Sequence, residues 1–227
     1  MIPALLFWLF KRYARPTFHQ LYLQLSTGNL LRFTKKKTIL VLFVASSLLA
    51  RAEEKTATYQ IKRNGTVIGQ MQLQQKQNGA ETFLKMSSKV KTRFVFEINV
   101  QTADESLFKN GQLQYSSVYR KVNGKEKENR QTKLLQQNYQ LLAGNKSSLF
   151  NSNINYNMML LYCQEPIHIS QVYSDNFQQM LAIKKIGMNN YRIDLPDGNY
   201  NTYYFQNGIC KTVEVHHSLY TITMELV

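Results

Sequence analysis

The chain has 227 residues, 28 Lys+Arg against 14 Asp+Glu, 44% hydrophobic and 19% charged residues, which excludes a disordered, collagenous or many-helix membrane protein. Its two cysteines are too few for a disulfide scaffold and lack the paired spacing of a zinc site, and no P-loop, dinucleotide fingerprint or nucleophile elbow is present. The net charge of +14 does not point to nucleic acid, because residues 1–52 carry eight Lys+Arg and no acid, which leaves +6 for the rest.

That first stretch reads as an address. Lys35, Lys36 and Lys37 precede the apolar run 38–49, which ends in Ala50-Arg51-Ala52 before Glu53. Basic, apolar, then small residues two positions apart is the order of a secretory signal. The run is too short to span a bilayer as a helix, so cleavage near Ala52 and a periplasmic or secreted protein are expected. Residues 1–52 are the leader and signal peptide, and 53–227 form a single domain. Residues 1–30 make an unusually long start, with a second apolar patch at 1–10. Either the true initiator lies just before Leu31, or the leader is translated and forms a short membrane-associated helix.

Beyond Ala52 the chain is punctuated by Asn64-Gly65, Asn78-Gly79, Asn110-Gly111, Asn123-Gly124, Asp197-Gly198 and Asn207-Gly208. These residues tolerate the positive φ of tight hairpin turns. Between them the residues alternate as strands do. Val67, Gly69, Met71 and Leu73 share a face, as do Phe94, Phe96, Ile98 and Val100, then Leu113, Tyr115 and Tyr119, and finally Tyr220, Ile222, Met224 and Leu226. Ten or eleven strands are predicted, at about 57–62, 66–75, 82–91, 93–107, 112–122, 125–136, 176–186, 191–195, 200–206, 209–217 and 220–227. The stretch 143–175 interrupts them, with a loop over 144–155 and one or two helical turns over 156–162 before Glu165-Pro166 stops any helix.

So many one-sided strands with so little helix must curl to hide their apolar face. The predicted fold class is mainly all-β: a curved antiparallel sheet forming an open or closed barrel, with one short helical segment. Closure, the 143–175 stretch or a bound molecule must shield the concave face. If a lipid-like or apolar small ligand does so, Phe94, Phe96, Ile98, Tyr115 and Tyr119 are its expected lining, with 156–162 as a lid.

Tyr59-x-Ile61, Asn64-Gly65, Ile68-Gly69, Ser116-Ser117-Val118-Tyr119, Val122-Asn123-Gly124, Glu165-Pro166, Val172-Tyr173-Ser174-Asp175-Asn176, Leu195-Pro196-Asp197-Gly198-Asn199 and Val213-Glu214-Val215-His216-His217 together resemble a domain-of-unknown-function family of exported Gram-negative bacterial proteins. The resemblance covers nearly all of 53–227. It implies secretion and a curved antiparallel sheet, and it implies no activity. Cys163 stands where the family pattern has an aromatic residue, which argues against an essential pairing with Cys210.

Catalytic candidates are few. Glu165 and Asp175 with His217 are the set an exported hydrolase would use, against which Asp175 also suits a cap or Asx-turn and Asp197 a turn. His216 and His217 are adjacent on a strand and point to opposite faces, a poor pair of metal ligands even with His168 as a third. By alternation His217 joins Val213 and Val215 on the apolar face, while His216 joins Glu214. The hairpin from Arg120 to Lys127 reads as a solvated face. Tyr203 and Tyr204, side by side, face opposite sides of their strand. No metal, cofactor or nucleic acid is expected. The favoured reading, over the hydrolase, is a non-enzymatic envelope protein that holds a hydrophobic or amphiphilic ligand or a partner protein on its curved sheet.

Overall fold

Asn64-Gly65, Asn110-Gly111, Asn123-Gly124 and Asn207-Gly208 each place both residues at positive φ, the turn whose twist matches the strands it joins. The computed structural model describes residues 53–93 and 97–227. Its first eight strands are β1 (Glu53–Arg63), β2 (Thr66–Asn78), β3 (Glu81–Arg93), β4 (Glu97–Lys109), β5 (Gln112–Val122), β6 (Lys125–Leu135), β7 (Asn138–Ala143) and β8 (Lys146–Phe150). A short hairpin follows, β9 (Gln171–Ser174) and β10 (Gln179–Ala182). The last five are β11 (Lys184–Gly187), β12 (Asn190–Asp194), β13 (Tyr200–Gln206), β14 (Ile209–His217) and β15 (Tyr220–Leu226).

Consecutive strands pair antiparallel in two runs, and β15 pairs with β1, with Tyr59 opposite Leu226. The result is one thirteen-stranded sheet in the order β11-β12-β13-β14-β15-β1-β2-β3-β4-β5-β6-β7-β8. Its edges, β8 and β11, do not pair with each other, so the sheet is curved and open. The expectation of a curved antiparallel sheet therefore holds.

Residues 151–183 lie against the inner face. They contain β9, β10 and one turn of 3₁₀ helix, Leu160–Tyr162, where one or two helical turns were expected. Ile154, Leu161, Val172 and Tyr173 from this segment have no solvent exposure, and neither do Tyr59, Leu84, Leu113 and Tyr139 from the sheet. All eight belong to one core. Buried tyrosines need a partner for each hydroxyl. Tyr59 Oη donates to Cys210 O at 2.8 Å, Tyr139 Oη donates to Leu113 O at 2.8 Å, and Tyr173 Oη pairs with Thr132 Oγ1 at 2.9 Å.

Two bulges correct the alternation. Between β4 and β5 the register shifts from Leu107 opposite Tyr115 to Phe108 opposite Leu113, leaving Gln114 as the extra residue. A bulge reverses the faces beyond it, so Leu113, Ser116 and Val118 point inward, and Tyr115 and Tyr119 do not share their face. The freed Leu113 N–H donates to Ile154 O at 2.8 Å, so the bulge is also where the inner segment docks. A second shift, at Ile61/Lys62 in β1, leaves Val67 53% exposed and packs Ile68 against the core instead.

The stretch 144–155, expected as a loop, contains β8, and β7 was not anticipated. The predicted strand 176–186 is divided among a turn, β10 and β11.

Candidate functional site

A cavity of about 340 Å³ opens between three parts of the fold. Met86, Asp104, Val118 and Arg120 come from β3, β4 and β5. The inner segment supplies Met158, Met159, Tyr162 and Asp175, and the far arm of the sheet supplies Asn201, Tyr203, Val215, His217 and Tyr220.

Strand periodicity explains how two carboxyl groups come to be inside. On β4 the even-numbered residues face inward, so the face that buries Ser106 and Phe108 also carries Asp104. Asp175 follows β9, and its turn is held by Ser174, whose Oγ accepts from Phe177 N at 3.3 Å. The Asp175 side chain is therefore released from the turn role expected of it and is turned inward, only 7% exposed. Asn157, fully buried, links it to the sheet: its amide donates to Asp175 Oδ2 at 3.0 Å and to Ser106 Oγ at 2.8 Å. Ser106 in turn donates to Met159 Sδ at 3.2 Å.

Burial raises the pKa of both acids, because the interior solvates a charge poorly. Asp104 is pushed up to about 7, by desolvation first and then by the charge of Asp175, against the pull of Arg120 and the Tyr119 backbone N–H. Asp175 is pushed up to about 6 by desolvation, with Ser116 and Asn157 opposing. One oxygen on each, Asp104 Oδ1 and Asp175 Oδ1, has no hydrogen-bond partner in the protein, and the same holds for the amide oxygens of Asn176 and Asn201. All four residues line the cavity, so its polar wall is rich in acceptors.

The expected lining fares unevenly. Phe94 and Phe96 lie outside the described residues. Ile98 is half-buried on the inner face of β4 but is not part of the cavity wall. Tyr115 and Tyr119 occupy the other face of β5, where Lys121 Nζ sits 5.4 Å from the Tyr119 ring centre. The residues 156–162 are buried filler rather than a lid. Arg120, expected in a solvated hairpin, lines the cavity, while Lys125, Glu126 and Lys127 are exposed.

Of the hydrolase set, Asp175 and His217 share the cavity wall, whereas Glu165 accepts a hydrogen bond from Tyr191 Oη at 2.9 Å and does not line it. The three do not converge. His217 stacks on Tyr220 with ring centres 4.7 Å apart, and its Nδ1 accepts from Leu219 N at 3.2 Å. His216 faces the other way, stacked on Tyr200 and 3.2 Å from Glu214 Oε2. Tyr203 and Tyr204 do oppose one another: Tyr203 is buried in the cavity wall, and Tyr204 Oη donates to Glu214 at 3.0 Å. Asp197 makes the turn expected of it, accepting from Asn199 N at 3.1 Å.

Cys163 and Cys210 are free thiols, and burial pushes them up to about 11 and about 12, away from a nucleophilic thiolate. No cluster among the described residues has the make-up of a metal site.

Asp104 was missed because the inward count on β4 stopped at Val100. Continuing it by twos through Thr102 places a carboxylate on the apolar face, which was the available signal.

A crystal structure of a β-barrel-like protein of the domain of unknown function DUF1849, from Brucella abortus, is similar to this chain at 10% identity and a TM-score of 0.49, covering 78% of this chain and 97% of the other. No curated protein sequence matches. The sequence matches the domain of unknown function DUF6134 over residues 59–227, and the chain belongs to that family.

Proposed function

We propose that the protein is exported and acts without catalysis, holding a small amphiphilic ligand between its curved sheet and its inner segment. The observation that carries this reading is the mixed apolar and polar wall of the cavity. Met86, Val118, Met158, Met159 and Val215 supply apolar groups, and Asp104, Asp175, Asn176 and Asn201 polar ones among them. Concave pockets with apolar walls and a few converging polar groups are the usual form of small-molecule sites. Methionine suits this role because its unbranched side chain adapts to irregular ligands.

Native mass spectrometry of protein purified from its own envelope is expected to detect a co-purifying molecule, and Val215→Trp, which fills the cavity, is expected to remove it. Unchanged stability after delipidation, together with no uptake of a fluorescent apolar probe, would overturn the reading and leave a partner-binding role. The export half is supported by Lys35, Lys36 and Lys37, the apolar run and Ala50-Arg51-Ala52. N-terminal sequencing of the periplasmic protein is expected to begin at Glu53, and recovery of the uncleaved chain from the inner membrane would refute it.

A further inference from the structure

We infer that the ligand's polar head is an organic ammonium group, seated between the carboxyl groups of Asp104 and Asp175. This rests on the ligand-binding reading above and gives it a chemical class.

The first argument is charge. Three carboxyl groups line the cavity, those of Asp104, Asp175 and the solvent-exposed Asp197, with a single guanidinium, that of Arg120, beside His217, so with the two inner acids ionised and the imidazole uncharged at least one negative charge of this group is uncompensated. A buried unpaired charge is expensive. It is relieved either by a proton on one acid or by a cation placed between them, and an ammonium head does the second while returning the pair to its ionised form.

The second argument is hydrogen bonding, and it is independent of charge. Asp104 Oδ1, Asp175 Oδ1, Asn176 Oδ1 and Asn201 Oδ1 form no hydrogen bond in the protein, the Ser116 hydroxyl near Asp175 being itself unbonded, and Asp175 is more than nine-tenths buried. All four atoms are acceptors. A ligand complementary to them must donate, and a primary ammonium brings three donors and no acceptor. A carboxylate or phosphate head would bring acceptors to acceptors. Met86, Met158 and Met159 in the same wall suit an alkyl tail. At about 30 Å³ for each water-sized group, 340 Å³ accommodates about eleven non-hydrogen atoms.

The test is isothermal titration of the mature protein at pH 7.5 with three probes of equal chain length: octylammonium, octanol and octanoate. Octylammonium is expected to bind roughly tenfold or more tightly than the other two, since charge-assisted hydrogen bonds exceed neutral ones. Asp175→Asn and Asp104→Asn, each checked for an unaltered circular-dichroism spectrum, are expected to erase that preference while octanol binding persists. Octanol or octanoate binding as well as octylammonium would overturn the ammonium assignment and leave the ligand-binding reading standing. Preference for octanoate that is lost in Arg120→Gln would reassign the head to an anion. Binding of none of the three would overturn the assignment and, with no co-purifying molecule found, the ligand reading as well. A preference for octylammonium that survives both Asp variants would place the head elsewhere.

Discussion

Strands β1–β8 and the inner segment 151–183 both bury large side chains, but they are held in place by different means. Each of those strands is paired residue by residue with the next, and its outward side chains repeat the register in charge: Lys85 lies opposite Glu105 and Glu81 opposite Lys109, both pairs bridged at 3.0 Å. Such exposed pairs add little stability; alternation and turn geometry fix the strands. The inner segment has one short hairpin and a single 3₁₀ turn, and it is tied to the sheet by separate side-chain and backbone bonds such as Leu113 N to Ile154 O. Yet Ile154, Asn157, Leu161, Val172 and Tyr173 have no exposure. In this architecture the regular part makes a surface and the irregular part fills it. The cavity persists where the filler brings Asp175 and Asn176 instead of apolar groups.

That comparison can be broken most directly at Tyr173. If the segment is core, Tyr173→Ala is expected to destabilise the fold by about 3–5 kcal/mol, the usual range for emptying a buried aromatic site. Urea denaturation measures it, and a loss below about 1 kcal/mol would mean the segment is a detachable cover.

The next effect is a pH dependence. A carboxyl group whose pKa is higher in the folded than in the unfolded chain binds its proton more tightly when folded. Its contribution is therefore complete below the unfolded value near 3.8 and is lost as pH rises through about 6 and about 7. Stability is expected to decline by several kcal/mol between pH 4 and pH 8 on this account, since each acid contributes about 1.36 kcal/mol for every pH unit that separates its folded value from 3.8. Asp104→Asn should flatten the decline, and an unchanged slope would show that the two acids do not titrate as described.

On the sheet itself the sharpest probe is Gly69, where an added Cβ would lie 2.3 Å from Lys89 O and 2.8 Å from Val90 Cα. Both are backbone atoms, so Gly69→Ala must push β2 and β3 apart, at about 1–3 kcal/mol. Tyr173→Phe, which removes only the hydroxyl bonded to Thr132, is expected to cost about 1 kcal/mol. The smallest effect is expected from Cys163→Ser under oxidising conditions, with a thermal midpoint nearly unchanged. A loss of about 2–5 kcal/mol would reveal a bridge to Cys210.

The strands were legible where a turn residue announced them. Asn64-Gly65 and Asn207-Gly208 bound hairpins whose limits the sequence places within a few residues. Strand β7 was lost because its entry turn is Gln136-Gln137, with Gln136 at φ 58°; glutamine carries no turn signature, so the positive φ is imposed by the flanking pairs. The faces were legible up to the first bulge and inverted after it, and for that reason Tyr115 and Tyr119 were assigned to the wrong side. His217 was placed on its correct face because β14 has no register shift between Thr212 and His217. The pairing of Asp104 with Asp175 could not be read at all. It depends on where an aperiodic segment crosses a strand distant in sequence, and no local period encodes that crossing.

One feature of the topology bears on how the molecule assembles. Strand β1 occupies the interior of the sheet, with β2 on one side and β15 on the other, and Val227 N donates to Thr58 O at 2.9 Å. The arm from β1 to β8 can zip up by successive hairpins, each a local event. The arm from β11 to β15 can do the same. Joining them is the one step that requires the two ends of the domain to meet, and it carries the largest loop-closure entropy in the fold. Until it happens β1 presents an open edge of unpaired amides, a template for association with another chain. Refolding is therefore expected to show a fast phase for the arms and a slower one for the seam, with aggregation competing during the interval between them.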